Sequence, residues 1–276
     1  MTNNVLVIGL GRVGLTLLSF LLNEPSIDTI ALLDKDEKEK QIIEDLSPIS
    51  NKTIANCKDL DDYSSFSFAF ICVGKDEEIK DNREEYVYKS IVDALSISDE
   101  LENKRFKGNI IIASNPHESI VTVFSKTNHH FKNVMGIGTL VDSFRYDKNL
   151  SVFFYGLHGK RAIEEKPVDN KRKEQALSLG YVLSSKGNRS RFTPAHSLMI
   201  LYRALIGEEP IILPLCLYDE EVGFSYSVKT RINSSQVIRL PIDEELHKRI
   251  IESIEETKQE FYSPINRLSL QKLFAL

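Results

Sequence analysis

The chain has 276 residues, room for one large domain or two closely packed ones. Its 42% hydrophobic and 27% charged content is ordinary for a globular protein, and the net charge of −5 speaks against nucleic-acid and membrane partners. Thirteen glycines and nine prolines exclude a fibrous or disordered chain, while Cys57, Cys72 and Cys216 show no metal-type spacing and fit a reducing, cytoplasmic setting.

The first apolar run, residues 5–9, predicts a strand, and residues 15–22 a helix. That helix is far shorter than the roughly 20 residues of a membrane span, and no cationic segment precedes it as in a signal peptide. Residues 29–36 predict a second strand ending in carboxylates, and KEKQIIEDL a helix. A buried strand over 67–74, a helix around 85–96 and a buried strand over 109–116 follow. Continuous apolar strands alternating with helices predict a parallel sheet covered on both faces. Beyond Pro116 the texture changes. SIVTVFSKT reads as helix, GFSYSVKTRI as a half-buried antiparallel strand, and residues 242–261 as an amphipathic helix with Leu246, Ile250, Ile251 and Ile254 on one face. The expected fold is α/β: an N-terminal Rossmann-type parallel sheet over 1–117, then a C-terminal α+β catalytic domain over 118–276.

The segment GLGRVG sits between the first strand and its helix, the context a dinucleotide turn requires. In such a turn Gly9 bends the chain, Gly11 lets a pyrophosphate approach, and Gly14 lets helix and strand pack closely. About 20 residues on, Asp34 stands where a carboxylate accepts bonds from ribose hydroxyls and repels the extra phosphate of NADP. A generic turn with a solvated Asp is the alternative.

Five polar residues stand further along: Arg83, Asn115, Asp142, Arg145 and His158. Singly each has a bland explanation: a helix start, a turn, a surface ion pair, a loop histidine. In this order they resemble the L-lactate/malate dehydrogenase family. DNREEYV is similar to its mobile loop, ASNPHE to its Asn-Pro strand end, GTLVDSFR to its Gly-Thr-x-x-Asp-x-x-Arg element, and GLHGK to its Glu-His-Gly-Asp element. The resemblance covers nearly the whole chain. It implies an NAD-dependent L-2-hydroxy-acid dehydrogenase with His158 as acid/base, Asp142 holding the imidazole, and Arg83 polarising the carbonyl from a closing loop. Arg145 would grip the substrate carboxylate and Asn115 bond the substrate oxygen. Cofactor contacts would come from Gly9, Gly11, Arg12, Val13, Gly14, Asp34, Val73, Gly74 and Asn115.

The chain also departs from that pattern. Leu157 and Lys160 replace acids on either side of the His-Gly pair, and the stretch from His158 to Lys186 is short, with room for a helix but not for the β-element before it. By the resemblance Glu77, six places before Arg83, takes the position that reads the substrate's side chain, with Arg189 toward the opposite wall; either both side chains point to solvent or pair weakly across an open pocket, or they read a substrate with a polar or cationic side chain. A carboxylate at 77 disfavours oxaloacetate, so malate-type activity is a secondary alternative. Another is a non-catalytic NAD-binding sensor or scaffold. Asp147 and Ser151 replace the cationic pair that clamps an activating sugar bisphosphate in some members, so no such activation is expected. No metal is expected; His129 and His130 read as a solvated turn. The expected partners are a small 2-oxo or 2-hydroxy acid and further copies of the chain, as a dimer or tetramer.

Overall fold

The computed structural model describes residues 2–74, 83–127, 130–186 and 190–267. In chain order these form β1 (Asn3–Ile8), α1 (Arg12–Leu21), β2 (Ile27–Leu33), α2 (Glu39–Leu46), β3 (Thr53–Asn56), β4 (Phe68–Ile71), α3 (Arg83–Asn103), β5 (Asn109–Ile112), α4 (His117–Thr127) and β6 (Asn133–Gly136). Then come α5 (Leu140–Tyr146), β7 (Phe154–Tyr155), β8 (Ile163–Glu164), α6 (Asn170–Ser185), α7 (Phe192–Ile206), β9 (Ile211–Asp219), β10 (Phe224–Ile232), β11 (Val237–Arg239) and α8 (Glu244–Arg267).

A single nine-stranded sheet carries both halves, in the order β11-β10-β9-β6-β5-β4-β1-β2-β3. From β3 to β6 every pairing is parallel. The α/β class holds, and the strands are apolar without interruption because both faces are covered. Successive side chains of a strand point to opposite faces. Leu6 and Ile8 of β1 accordingly enter a core with Ile91 of α3, Phe124 of α4 and Ile250 and Ile254 of α8. Val5 and Val7 enter a second core with Leu17 and Leu21 of α1 and Leu198 and Tyr202 of α7. Three of the four apolar residues expected on the inner face of the last helix, Leu246, Ile250 and Ile254, are buried.

Two features differ from the sequence expectation. Parallel pairing runs on past residue 117 through β6, whose residues NVMG mix polar, apolar and glycine positions and so lack the apolar run that marks β4 and β5. There β9 joins it antiparallel at Gly136–Cys216, and the β9–β10 hairpin continues the same sheet. Second, the short stretch after His158 holds more than a helix. Ile163–Glu164 pairs antiparallel with Phe154–Tyr155 as a minimal two-stranded sheet. Only two residues a side form it, so no alternating pattern marks it in the sequence.

Candidate active site

The C-terminal ends of β1, β2, β4 and β5 converge on one edge of the sheet, the place where open parallel sheets bind ligands. At β1 the three glycines do different things. Gly9 has φ +95°, and a Cβ there would come within 2.7 Å of the Cys72 carbonyl carbon and the Val73 nitrogen. A Cβ on Gly14 would sit 1.9 Å from the Gly9 oxygen, so α1 lies against the turn only because that position is glycine. A Cβ on Gly11 would meet nothing within 4 Å. Gly11 is also the N-cap of α1 and has no side-chain cap bond, so the amides of this helix start, at Arg12 and Val13, have no side chain of the cap residue over them.

Asp34 follows the last residue of β2 and is buried. One carboxylate oxygen accepts from the Leu10 amide at 2.5 Å, the other from the Asp36 amide at 3.0 Å. Glu39, 1% exposed, accepts from the Asp34 amide at 2.7 Å. The carboxylate is therefore fixed against the glycine turn. Val73 and Gly74 lie just past β4, half-buried and exposed respectively. Asn115 is exposed, forms a cis peptide with Pro116, and its carbonyl accepts from the Tyr86 hydroxyl at 3.0 Å.

On the neighbouring part of the sheet α5 presents Asp142 and Arg145, three apart and so on one helix face. Thr139 and Ser143 tie α5 to β7: the Thr139 hydroxyl donates to the Phe154 carbonyl, and the Phe154 amide donates to Ser143 Oγ at 3.0 Å. Gly156 exchanges main-chain bonds of 2.9 and 2.8 Å with Ser227 of β10. These contacts deliver His158 to Asp142. The fully buried Asp142 Oδ2 lies 2.7 Å from His158 Nδ1 and accepts from the Gly159 amide at 3.0 Å. Burial lowers the His158 pKa, but the Asp142 charge and hydrogen bond outweigh it and hold the imidazole above its ordinary value. With Nδ1 turned to Asp142, Nε2 is the nitrogen left to act, and the side chain is 24% exposed.

Arg145 is 4% exposed, with Nη1 3.6 Å from Asp142 Oδ1. Its Nη2 donates to Ser190 Oγ at 3.0 Å. Among the described residues Asp142 Oδ1 and Arg145 Nε have no hydrogen-bond partner. Burial pulls the guanidinium below its ordinary value and Asp142 opposes that pull. The structure thus brings Asp142, Arg145 and His158 together. Arg83 opens α3, but its side chain lies outside the described residues, as do Glu77, Arg189 and His129.

Two further residues, buried beside the cluster, carried no signal as site residues in the sequence. His117 Nε2 accepts from the Gly138 amide at 2.8 Å and Nδ1 faces the Ser114 carbonyl at 3.2 Å, an arrangement that suits a neutral ring. Burial first, and the His158 charge second, push its pKa down to about 3. Glu118, 7% exposed, accepts from the His158 amide at 2.7 Å, and burial raises its pKa. Both directly follow an Asn-Pro pair, where a histidine and an acid read as the first turn of a solvated helix. Of the altered positions around the His-Gly pair, Leu157 is buried and Lys160 stacks its ammonium over the Tyr181 ring at 5.0 Å. Among the described residues no group of His, Cys, Asp and Glu could hold a metal ion, and no helix is long and apolar enough to cross a membrane.

No family model matches the chain. It is 24% identical over 298 aligned positions to L-lactate dehydrogenase 2 of Lactobacillus johnsonii, covering 92% of this chain and 96% of that one. L-lactate dehydrogenase 1 of Staphylococcus aureus is 24% identical over 302 positions, with 93% and 95% covered. A partial match, 28% over 190 residues and 62% of either chain, links it to L-lactate dehydrogenase 2 of Lactobacillus acidophilus. Among solved structures, a lactate dehydrogenase from a deep-sea metagenome library superposes with a TM-score of 0.79 at 18% identity, covering 94% of this chain and 98% of that one. The malate dehydrogenase of Archaeoglobus fulgidus in complex with NADH gives the same TM-score, identity and coverage.

Proposed function

We propose, from these likenesses, that the chain is a divergent member of the L-lactate/malate dehydrogenase family and an NAD-dependent L-2-hydroxy-acid dehydrogenase with His158 as its acid/base. The observation that carries this reading is the Asp142–His158 contact at 2.7 Å with the Arg145 guanidinium beside it.

The residues at the sheet edge fit a dinucleotide. Gly11 leaves its surroundings open, the start of α1 offers amides and partial positive charge to a pyrophosphate, and Asp34 offers a fixed carboxylate to ribose hydroxyls. When bound there, the dinucleotide would supply hydride chemistry to the carbonyl carbon of a 2-oxo acid. His158, cationic and bonded through Nδ1 to Asp142, donates the Nε2 proton to the carbonyl oxygen as charge grows there. Asp142, bonded to Nδ1, steadies the imidazolium before the transfer. Arg145 pairs with the substrate carboxylate and so orients the carbonyl toward His158. Asn115 and Arg83 complete the polar surroundings of that oxygen. Glu77 and Arg189 read the substrate's side chain, and the negative charge of Glu77 disfavours the second carboxylate of oxaloacetate.

One observation favours a second reading, an NAD-binding protein without turnover: Arg145 is 4% exposed and already bonded to Ser190. A panel of 2-oxo acids separates the two. On the dehydrogenase reading, wild type oxidises NADH with at least one monocarboxylic 2-oxo acid, and Arg145→Ala raises KM for that acid far more than it weakens NADH binding. Binding of NADH with no oxidation by any 2-oxo acid establishes the second reading instead.

A further inference from the structure

We propose that Glu118 is a positioning residue for His158, holding the histidine's main chain through its buried carboxylate while Asp142 holds the ring. This rests on the assignment of His158 as the acid/base.

Asp142 Oδ2 serves both His158 Nδ1 and the Gly159 amide, so it fixes the ring and the residue that follows. The next main-chain anchor on the other side is Gly156, bonded to Ser227 of β10. Between these points the His158 amide has, among the described residues, one partner, Glu118 Oε1, at 2.7 Å. Glu118 is itself firmly set. It is the second residue of α4, and its carbonyl accepts from the Thr122 hydroxyl at 2.8 Å, while Thr122 Oγ1 accepts from the Ser225 amide of β10 at 2.9 Å. His117, one residue earlier, locks the start of α4 to Gly138, just ahead of α5. The two elements that carry Glu118 and Asp142 are thereby joined, and the histidine hangs between carboxyl groups from both.

The charged and titratable groups that face this pair are Asp142 and Arg145 of α5, His117 of α4 and, toward Glu118, Cys216 of β9. None of them bonds the His158 amide. A shortened side chain at 118 takes the acceptor away from that half-buried amide, and the imidazole is then free to swing on its Asp142 contact. Displacement of a reacting group by about 1 Å costs on the order of 10²-fold in rate.

Two substitutions separate reach from charge. Glu118→Gln keeps an oxygen at the same reach and loses the charge. Glu118→Asp keeps the charge and withdraws the oxygen by one carbon–carbon bond, about 1.5 Å. Rates of 2-oxo acid reduction are compared on the low-pH plateau, where His158 is protonated in every form. Positioning predicts that E118Q retains wild-type kcat, and that E118D loses roughly 10- to 100-fold in kcat with KM for the 2-oxo acid unchanged, since Arg145 is untouched. By NMR, the downfield Nδ1 proton of His158 persists in E118Q and broadens in E118D. An E118D enzyme equal to wild type, or an E118Q enzyme as impaired as E118D, overturns the proposal. If wild type reduces no 2-oxo acid, the dehydrogenase reading fails on its own, and the NMR comparison still decides for or against Glu118.

Discussion

The proton inventory at the site comes down to two histidines with opposite fates. Their ring centroids are 6.4 Å apart. His117 has both nitrogens satisfied as a neutral ring; His158 has a carboxylate on one nitrogen and nothing assigned to the other. Of these two, His158 is the one suited to the proposed reversible acid role near neutral pH. Its pKa is raised above the ordinary value of 6.5. The rate of 2-oxo acid reduction should therefore be flat at low pH and fall as pH rises through a midpoint above 6.5. Oxidation of the hydroxy acid, which needs the neutral imidazole, should rise through the same midpoint. The ion pair's contribution to folding has the same sign: it is complete below the unfolded pKa of about 6.5 and lost as pH rises through the folded one. Asp34 makes a second residue-scale claim. NAD(H) should bind more tightly than NADP(H), because a 2′-phosphate would face a carboxylate pinned to Leu10. In Asp34→Ser, titration of the two cofactors should give dissociation constants that converge; an unchanged ratio would mean that Asp34 does not face the ribose. The sequence made Asp34 and His158 legible because each ends a local motif. Glu118 and His117 were not, because what makes them matter is burial against α5 and the His158 turn, which no local spacing encodes.

Helices α1 and α6 each contain a glycine whose role differs sharply. Gly14→Ala places a carbon 1.9 Å from the Gly9 oxygen, so helix and turn must separate. Denaturant titration should show a loss of about 1–3 kcal/mol, the usual cost of overpacking, together with weaker NADH binding. Gly180 of α6 faces the Arg145 guanidinium, and a Cβ there would lie 3.4 Å from Nη1, an ordinary contact. Gly180→Ala should therefore gain roughly 1 kcal/mol of helix propensity without displacing Arg145. The end of α5 bears on regulation. Asp147 accepts from the Asn149 amide at 3.1 Å, from the Ser151 amide at 3.2 Å and from the Ser151 hydroxyl, so both residues are spent on organising a turn. Fructose 1,6-bisphosphate added at fixed substrate should leave the rate unchanged; a rise would show a phosphate clamp built from other residues. At this scale the sequence revealed elements in proportion to their length. The long apolar strands and the amphipathic α8 were readable from periodicity. The strands β7 and β8, of two residues each, were not, because so few residues carry no period, and β6, NVMG, lacks the unbroken apolar run that marks the equally short β4 and β5.

Across the whole molecule, one sheet carries both parts of the candidate site. The parallel strands end at the glycine turn and Asp34, and the β9–β10 hairpin extends the same sheet to hold the His158 turn through Ser227. That continuity ties the two parts together through hydrogen-bonded strands rather than a linker. It was not visible in the change of texture after Pro116, since a strand that joins an existing sheet looks the same as one that starts a new one. What separates a dehydrogenase from an NAD-binding relative is turnover that depends on His158. Initial rates of NADH oxidation, measured for wild type and His158→Ala against pyruvate, longer 2-oxo acids and oxaloacetate, test this directly. A dehydrogenase with His158 as its acid/base should turn over a monocarboxylic 2-oxo acid in preference to oxaloacetate. In His158→Ala the rate should fall by roughly 10²–10⁴-fold while NADH binding is kept. Turnover that survives the substitution would contradict that role.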